Sequence, residues 1–433
     1  MTPILAGIIG FIVLFLLLAI GLPIGFGMAL VGFGGFWYLV SQSAAFSKLI
    51  VTPFDTVCSY DLAVLPLFLL MAHVTFTSGL SKDLYNLAAK WLGRQRGGLA
   101  MATVGACAGF AAVSASSVAT AATMGLVALP EMKKHKYDIS LATGAIAAGG
   151  TIGILIPPSS ILIIYGIITE TSIGRLFSGG IVPGILQALF YMITIYLLCR
   201  LKPDYGPRGA NFKLREKIAA FGSCGEIIAL IILVLGGLII GWFTPTEAGA
   251  VGAFGAIVFS MIRRKLDWPK FKQALIETMK TTGMIYCIMI GAFIFNYFIA
   301  VTTIPNALAD TVSGLTVSPM IIMLLTIVVY LFLGCIMDAG AMILLTIPVF
   351  FPLVISLDFD PIWFGIIVTR VVEIGMITPP IGMNVYVIAG VAGDVPISKI
   401  FKGIFPFLIA DAIHVALLLL IPGIVLFLPS VMS

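Results

Sequence analysis

Apolar residues run through most of this chain in long stretches, and the lysines and arginines gather between them. Runs near 3–21, 23–40, 61–80, 139–167, 176–199, 225–243, 246–262, 281–302, 361–390 and 404–428 each approach the ~20 residues a helix needs to cross a bilayer. The pattern predicts ten spans. Two further apolar stretches, 97–130 and 319–356, carry a small or polar cluster at their middle. Basic residues in short loops mark the cytoplasmic side. They cluster at 82–96, 133–136, 200–217 and 263–272, with Lys399 and Lys402 as a last pair. The first two clusters flank 97–130 on both sides, so this segment enters and returns, as a re-entrant hairpin or two short spans. The stretch 301–369 has no lysine or arginine, and its loops carry Asp310, Asp358 and Asp360. Segment 319–356 is therefore expected to enter from the opposite, periplasmic side. Lys48 and Arg175 depart from this scheme, which places both termini outside.

The landmarks repeat at an offset of 222 residues. Pro23 falls on Pro245, Gly27 on Gly249 and Pro130 on Pro352, while Gly153, Pro157 and Pro158 fall on Gly375, Pro379 and Pro380. Arg175-Leu-Phe-Ser-Gly resembles Lys399-Ile-Phe-Lys-Gly at 224. A nearly constant offset over that length, with hairpins on opposite sides, predicts two repeats of inverted topology. Residues 1–201 form the first, 202–224 a basic cytoplasmic linker, and 225–433 the second. Inverted repeats recur in secondary transporters, with binding sites near the midplane where helices break.

Composition agrees with a lipid solvent. Of 433 residues 60% are hydrophobic and 10% charged, with mean hydropathy +1.16, whereas a soluble domain carries roughly 25% charged residues. The 46 glycines and 23 prolines, many inside apolar runs, mark helix breaks. The six cysteines are scattered without a C-x-x-C pair and read as apolar packing. His73, His135 and His414 lie far apart and match no zinc or haem pattern. The N-terminus lacks a basic region before its first apolar run, so that run reads as a retained span. With no Walker A pattern, ATP-driven pumping by this chain is not expected.

Candidate chemistry gathers at the middle of each repeat. In the first, Ser114, Ser116, Ser117 and Thr120 mark a hairpin tip, and Gly149-Gly150-Thr151 through Pro157-Pro158-Ser159-Ser160 interrupt a span. Paired prolines remove two backbone donors and disfavour helix just before them. Irregular backbone at membrane depth must be buried in protein or face a wet cavity. Free carbonyls with serine hydroxyls then form a hard-oxygen cage suited to a monovalent cation, and half-helix N-termini favour anions. The second repeat has Gly334 to Ala341 at its tip and Glu373 to Asn384 at its break. Ser116 and Asp338 are related by the same offset. Asp338, Arg370 and Glu373 are ionisable groups at membrane depth and are functional candidates on that ground. Arg370 is open to two uses, cargo contact or an ion pair with Glu373 three residues on. A serine nucleophile would need a base in reach. Nothing pairs His73 with Ser116 or Ser117, so no enzyme is expected.

These residues resemble the large membrane subunit of the tripartite ATP-independent periplasmic (TRAP) transporters over essentially the whole chain. The likeness rests on Ser114-x-Ser116-Ser117, Gly153-Ile-Leu-Ile-Pro157-Pro158-Ser159, Phe243-Thr244-Pro245-Thr246-Glu247-Ala248 and Gly375-Met-Ile-Thr378-Pro379-Pro380-x-Gly382-x-Asn384; Ala115 departs from the glycine expected at that position. It implies an all-α integral membrane protein of the bacterial inner membrane. The architecture implied is an inverted-repeat, elevator-type fold with two re-entrant hairpins and two broken helices. It also implies sodium-coupled uptake of carboxylates such as C4-dicarboxylates or sugar acids. One sodium site would use Ser114, Ser117, Gly153, Ile156 and Pro158, the other Gly334, Gly375, Thr378 and Ile381. Cargo would lie near Ser116, Ser117 and Asp338, with Ser159, Arg370 and Asn384 as further candidates. A small membrane subunit and a soluble periplasmic binding protein would complete the system; no nucleic acid is expected as a partner. The competing expectation is a stand-alone sodium- or proton-coupled anion carrier of the same architecture.

Overall fold

The computed structural model describes residues 1–313 and 317–432, and all regular secondary structure among them is helical. The first half comprises α1 (Pro3–Ala19), α2 (Ile24–Leu39), α3 (Gln42–Cys58), α4 (Val64–Thr77), α5 (Leu80–Leu92), α6 (Gly98–Ser114), α7 (Ser117–Lys134), α8 (Ile139–Gly150), the single turn α9 (Ile152–Leu155), α10 (Ser160–Ile168) and α11 (Ile173–Leu201). The second comprises α12 (Leu214–Ile231), which passes through a π-helical stretch into α13 (Gly237–Ile240), then α14 (Pro245–Ile262), α15 (Trp268–Thr302), α16 (Ile304–Ser313), α17 (Pro319–Gly334), α18 (Ala339–Ser356), α19 (Pro361–Gly375), α20 (Met383–Ala392), α21 (Ile397–Leu420) and α22 (Gly423–Val431). Helices α7 and α18 start 222 residues apart, as do α8 and α19.

Seven helical segments among the described residues are long and apolar enough to cross a membrane, or eight counting α3 and α4 as one span bent by 57°. The ten expected spans exceed this because several are shorter or broken in fact. Runs 3–21 and 23–40 yield helices of 17 and 16 residues, and 361–390 is divided between α19 and α20. The run 404–428 splits at Ile421-Pro422 between α21 and α22, though α21 alone is long and apolar enough to cross. Helices α3, α5 and α16 were not expected. The amphipathic α5 is too polar to read as a span. The basic stretch 202–224 is a strap only up to residue 213, since α12 begins at Leu214.

Two groups of helices emerge from the packing. Helices α1 to α4 pack with α14 and α15, the long α15 lying along α2 and α4, and α12 packs on α14. Helices α6 to α10 pack with α17 to α20, flanked by α11 and α21. Helix α5 joins the groups by packing on both α6 and α12. A polar cluster fixes its outer face: Lys265 Nζ donates to Asp83 Oδ2 at 2.6 Å, and Arg263 Nε to Glu226 Oε1 at 2.5 Å. The strap is tied down as well. The Gly97 N–H donates to the Gly206 carbonyl and that of Gly209 to Gly93, each at 2.8 Å, while the Tyr137 hydroxyl donates to the Pro207 carbonyl at 2.9 Å. Lys48, an exception to the basic-loop scheme, lies over the Tyr297 ring at 4.0 Å, where a cation is attracted by the ring quadrupole.

Candidate functional site

The chemistry sits where each hairpin tip meets a broken helix. In the first unit α6 stops at Ser114, because Ala115 takes a left-handed conformation at φ 53°. Ser116 then caps α7, its hydroxyl accepting from the Ala119 N–H at 3.3 Å. Ser114 Oγ donates to the Ser116 carbonyl at 2.9 Å and lies 2.7 Å from Thr120 Oγ1. Opposite this tip, α8 and α9 end at Ile156, Pro157-Pro158 is cis, and Ser159 caps α10 by accepting from the Leu162 N–H at 3.2 Å. Prolines at 157 and 158 remove the donors that would reach the Gly153 and Ile154 carbonyls in a continuous helix. The break lies directly on the tip. A Cβ on Gly153 would stand 2.8 Å from Thr120 Oγ1 and 3.0 Å from the Ser116 carbonyl oxygen.

The second unit repeats the arrangement with different capping. Helix α17 ends at Gly334, and Asp338 caps α18, accepting from the Gly340 N–H at 3.1 Å. A Cβ on Gly375 would stand 2.6 Å from both the Cα and the carbonyl carbon of Gly334. Pro379-Pro380 is also cis. Here the freed carbonyls are partly taken up: Gly375 accepts from the Thr378 N–H and Met376 from the Asn384 N–H, each at 3.1 Å. Thr378 Oγ1 donates to the Ile374 carbonyl at 2.6 Å, which leaves its lone pairs free. Ile381 is exposed, whereas Ile156 and Pro158 of the first unit are buried.

Of the six candidate cargo residues, the structure brings three together. Ser116, Ser117 and Asp338 line one cavity of about 120 Å³ between the two tips, with Ser160 beside them. This space adjoins a cavity of about 390 Å³ that runs from Ser114 and Ser116 along α4 and α15 past His73, Gln273 and Glu277. The two share Leu69, Ser116, Val118 and Thr281. Ser159, Asn384 and Arg370 are fully buried and line neither cavity. For Ser159 the fold gives a local duty, capping α10; Ser160, not singled out in sequence, is the serine facing the cavity, and it donates to the Ala115 carbonyl at 3.0 Å.

Arg370 does not hydrogen-bond to Glu373, and it lines neither cavity. Its Nη2 is ion-paired with Asp411 and donates to the Tyr191 hydroxyl at 3.3 Å, while its Nε donates to His414 Nδ1 at 3.2 Å. Tyr191 is held in turn by Gln187, whose Nε2 donates to Thr151 Oγ1 at 2.9 Å. Sequence reasoning missed Asp411, His414, Tyr191 and Gln187 because they lie on α11 and α21, far from either break in the chain. The one signal present was Asp411 itself, an acid inside an apolar run.

Comparison with known proteins follows the same lines. The profile of a family described as "Tripartite ATP-independent periplasmic transporter, DctM component" matches residues 11–424. The chain is 36% identical to the C4-dicarboxylate TRAP transporter large permease protein DctM of Pseudomonas aeruginosa, over 92% of each chain. It is 30% identical to the sialic acid TRAP transporter large permease protein SiaM of Vibrio cholerae, over 96% of each. It is 32% identical to the 2,3-diketo-L-gulonate TRAP transporter large permease protein YiaN of Escherichia coli, over 94% of this chain and 95% of that one. Among solved structures, the Alcanivorax borkumensis YdaH transporter superposes with TM-score 0.67 at 14% identity, over 88% of this chain and 89% of that one. Neisseria gonorrhoeae MtrF superposes with TM-score 0.57 at 16% identity, over 88% and 85%. These two likenesses are of fold.

Proposed function

We propose a function from one premise: the chain belongs to the DctM, large-permease, family of tripartite ATP-independent periplasmic transporters. It is a multi-pass protein of the bacterial inner membrane and the translocating subunit of its system. Its work is sodium-coupled uptake of a small organic acid, either a C4-dicarboxylate or a sugar acid such as the relatives are named for. A periplasmic binding protein delivers the cargo, and a small membrane subunit completes the assembly.

The observation that carries this reading is the contact of each hairpin tip with a helix break, close enough to exclude a Cβ at Gly153 and at Gly375. Unwound carbonyls and half-helix termini at midplane are how secondary transporters hold coupling ions and anionic cargo. Sodium would bind oxygens of Ser114, Ser117, Gly153, Ile156 and Pro158 at the first break, and of Gly334, Gly375, Thr378 and Ile381 at the second. Cargo would sit between the tips at Ser116, Ser117 and Asp338. There the N-termini of α7 and α18 supply partial positive charge, and the bound sodium ions offset Asp338. The 222-residue recurrence of elements supports two inverted repeats, 1–201 and 225–433. An elevator-type movement would carry the two hairpin–break units along the group built on α1 to α4 and α12 to α15. The larger cavity runs toward the α15 end that follows the basic loop 263–265, so this conformation opens to the cytoplasm.

Reconstitution in liposomes tests the reading. Labelled carboxylate should accumulate only when the chain, its small subunit and the loaded binding protein are all present. Accumulation by the chain alone would instead identify a stand-alone carrier.

A further inference from the structure

The two hairpin tips face one cavity with opposite character. At the first tip, the Ser117 and Val118 N–H groups open α7, where no carbonyl of the same helix can accept from them, and both residues line the space between the tips. That end of the cavity carries partial positive charge. At the second tip Asp338 caps α18 with its own carboxylate, which accepts from the Gly340 N–H at 3.1 Å. The positive end of α18 is thus offset from within the chain. The Asp338 side chain is exposed and lines the same space. No lysine or arginine among the described residues lines this cavity or the one adjoining it. One wall therefore favours a carboxylate. The other repels it, since like charges set side by side are costly, and accepts a hydrogen bond instead.

The space between the tips, about 120 Å³, is below the roughly 300–1,000 Å³ of a small-molecule site, whereas the adjoining cavity is about 390 Å³. Cargo anchored between the tips extends into that second space. Its wall mixes Leu69, Phe76 and Phe110 with Thr123, Gln273 and His73. A sugar skeleton matches such a wall, with hydroxyls at its edge and C–H groups on its faces. A second cargo carboxylate does not match it. His73, the one residue there able to carry a positive charge, faces Glu277. Lys280, which pairs with Glu277 at 3.0 Å, lines neither cavity.

We infer that the cargo is a hydroxylated monocarboxylate, a sugar acid rather than a C4-dicarboxylate. Its carboxylate lies at the start of α7, a hydroxyl donates to Asp338, and its body extends along α7 toward Thr123 and Gln273. The inference rests on the sodium-coupled reading for the place of the site and for the counter-charge. Sodium at the two breaks balances Asp338 and one cargo carboxylate, and leaves a second carboxylate without a counter-ion.

The test is equilibrium binding to the full chain with its small subunit in lipid nanodiscs. The periplasmic binding protein is left out, because its own selectivity would mask that of the permease. Gluconate and glucuronate serve as hydroxylated monocarboxylates, succinate as the diacid and butyrate as the acid without hydroxyls, each titrated with and without sodium. In sodium, gluconate or glucuronate should bind about tenfold or more tighter than succinate and butyrate, because a site built to hydrogen-bond a hydroxyl rejects ligands lacking it. Asp338→Asn keeps a residue able to cap α18 and removes the repulsion, so the ratio of sugar-acid to succinate affinity should fall about tenfold or more. If Asp338→Asn is not recovered folded, Gln273→Leu, at an exposed position of α15, serves instead. It should weaken the sugar acid several-fold and leave butyrate unchanged. Sodium-dependent succinate binding as tight as that of the sugar acids overturns the inference and leaves sodium-coupled carboxylate transport standing. An unchanged affinity ratio in Asp338→Asn, or an unchanged sugar-acid affinity in Gln273→Leu, also overturns it. Absence of sodium-dependent binding by every probe removes the tip site of the proposed function and this inference with it.

Discussion

Removing Arg370 alone should be far more damaging than removing it together with Asp411. Both groups are buried, at 0% and 1% side-chain exposure, so Arg370→Met leaves a bare carboxylate in the interior. Breaking one partner of a buried pair costs about 3–5 kcal/mol. The double variant Arg370→Met/Asp411→Leu removes both charges together. What remains is the loss of two neutral acceptors' donors, at His414 Nδ1 and the Tyr191 hydroxyl, at about 1 kcal/mol each. Tyr191 keeps its contacts with Gln187 and Thr151. Those two losses also occur in Arg370→Met and cancel in the comparison, so the double variant should recover about 3–5 kcal/mol relative to Arg370→Met, read as a higher apparent melting temperature in mild detergent. Half-saturating cargo concentration in the double variant should stay near that of the wild type, because Arg370 lines neither cavity. A double variant no more stable than Arg370→Met would refute the charge-pair account. A folded double variant with severely weakened cargo affinity would return Arg370 to the cargo site.

Further outcomes follow from the same geometry. Gly153→Ala and Gly375→Ala should each raise the sodium concentration needed for half-maximal uptake by about tenfold or more, the equivalent of roughly 1.4 kcal/mol, since each added Cβ meets the facing tip within 3.0 Å; sodium titration of uptake checks this. Asp338→Asn retains a residue able to cap α18, so its effect isolates the charge. It should impair sodium-driven uptake with membrane insertion unchanged, and Ser117→Ala should do the same. Thr244→Ala should lower stability by about 1 kcal/mol without altering sodium dependence, because Thr244 and Glu247 form a reciprocal cap at the start of α14 with bonds of 3.3 and 2.8 Å.

Both hairpin tips and both breaks were legible in the sequence because their signals are local. Serine clusters, a glycine four residues before a capping aspartate, and paired prolines mark a chain that cannot stay helical at that point. The Phe243 to Ala248 motif was visible too, though its work turned out to be a helix cap. What escaped were long-range partnerships. Arg370 and Glu373 lie one turn apart on one helix, which suggested a pair, yet Arg370 is turned toward α21 and α11 by Asp411, His414 and Tyr191. Nothing in the spacing of Arg370 and Asp411, 41 residues apart, announces the contact. Helices α3, α5 and α16 escaped for a different reason. Their apolar residues occupy one face or a short run, and a reading keyed to membrane-length stretches passes over them. Ser159 and Ser160 show the limit at finer scale: neighbours in sequence, one caps a helix and the other faces the cavity.

The most direct test of sodium-driven translocation is uptake into liposomes holding the chain with its small subunit, supplied with binding protein carrying labelled carboxylate, under one imposed gradient at a time. An inward sodium gradient should drive accumulation, and Ser114→Ala or Gly375→Ala should abolish most of it. Accumulation driven equally by an inward proton gradient in sodium-free medium would contradict the account.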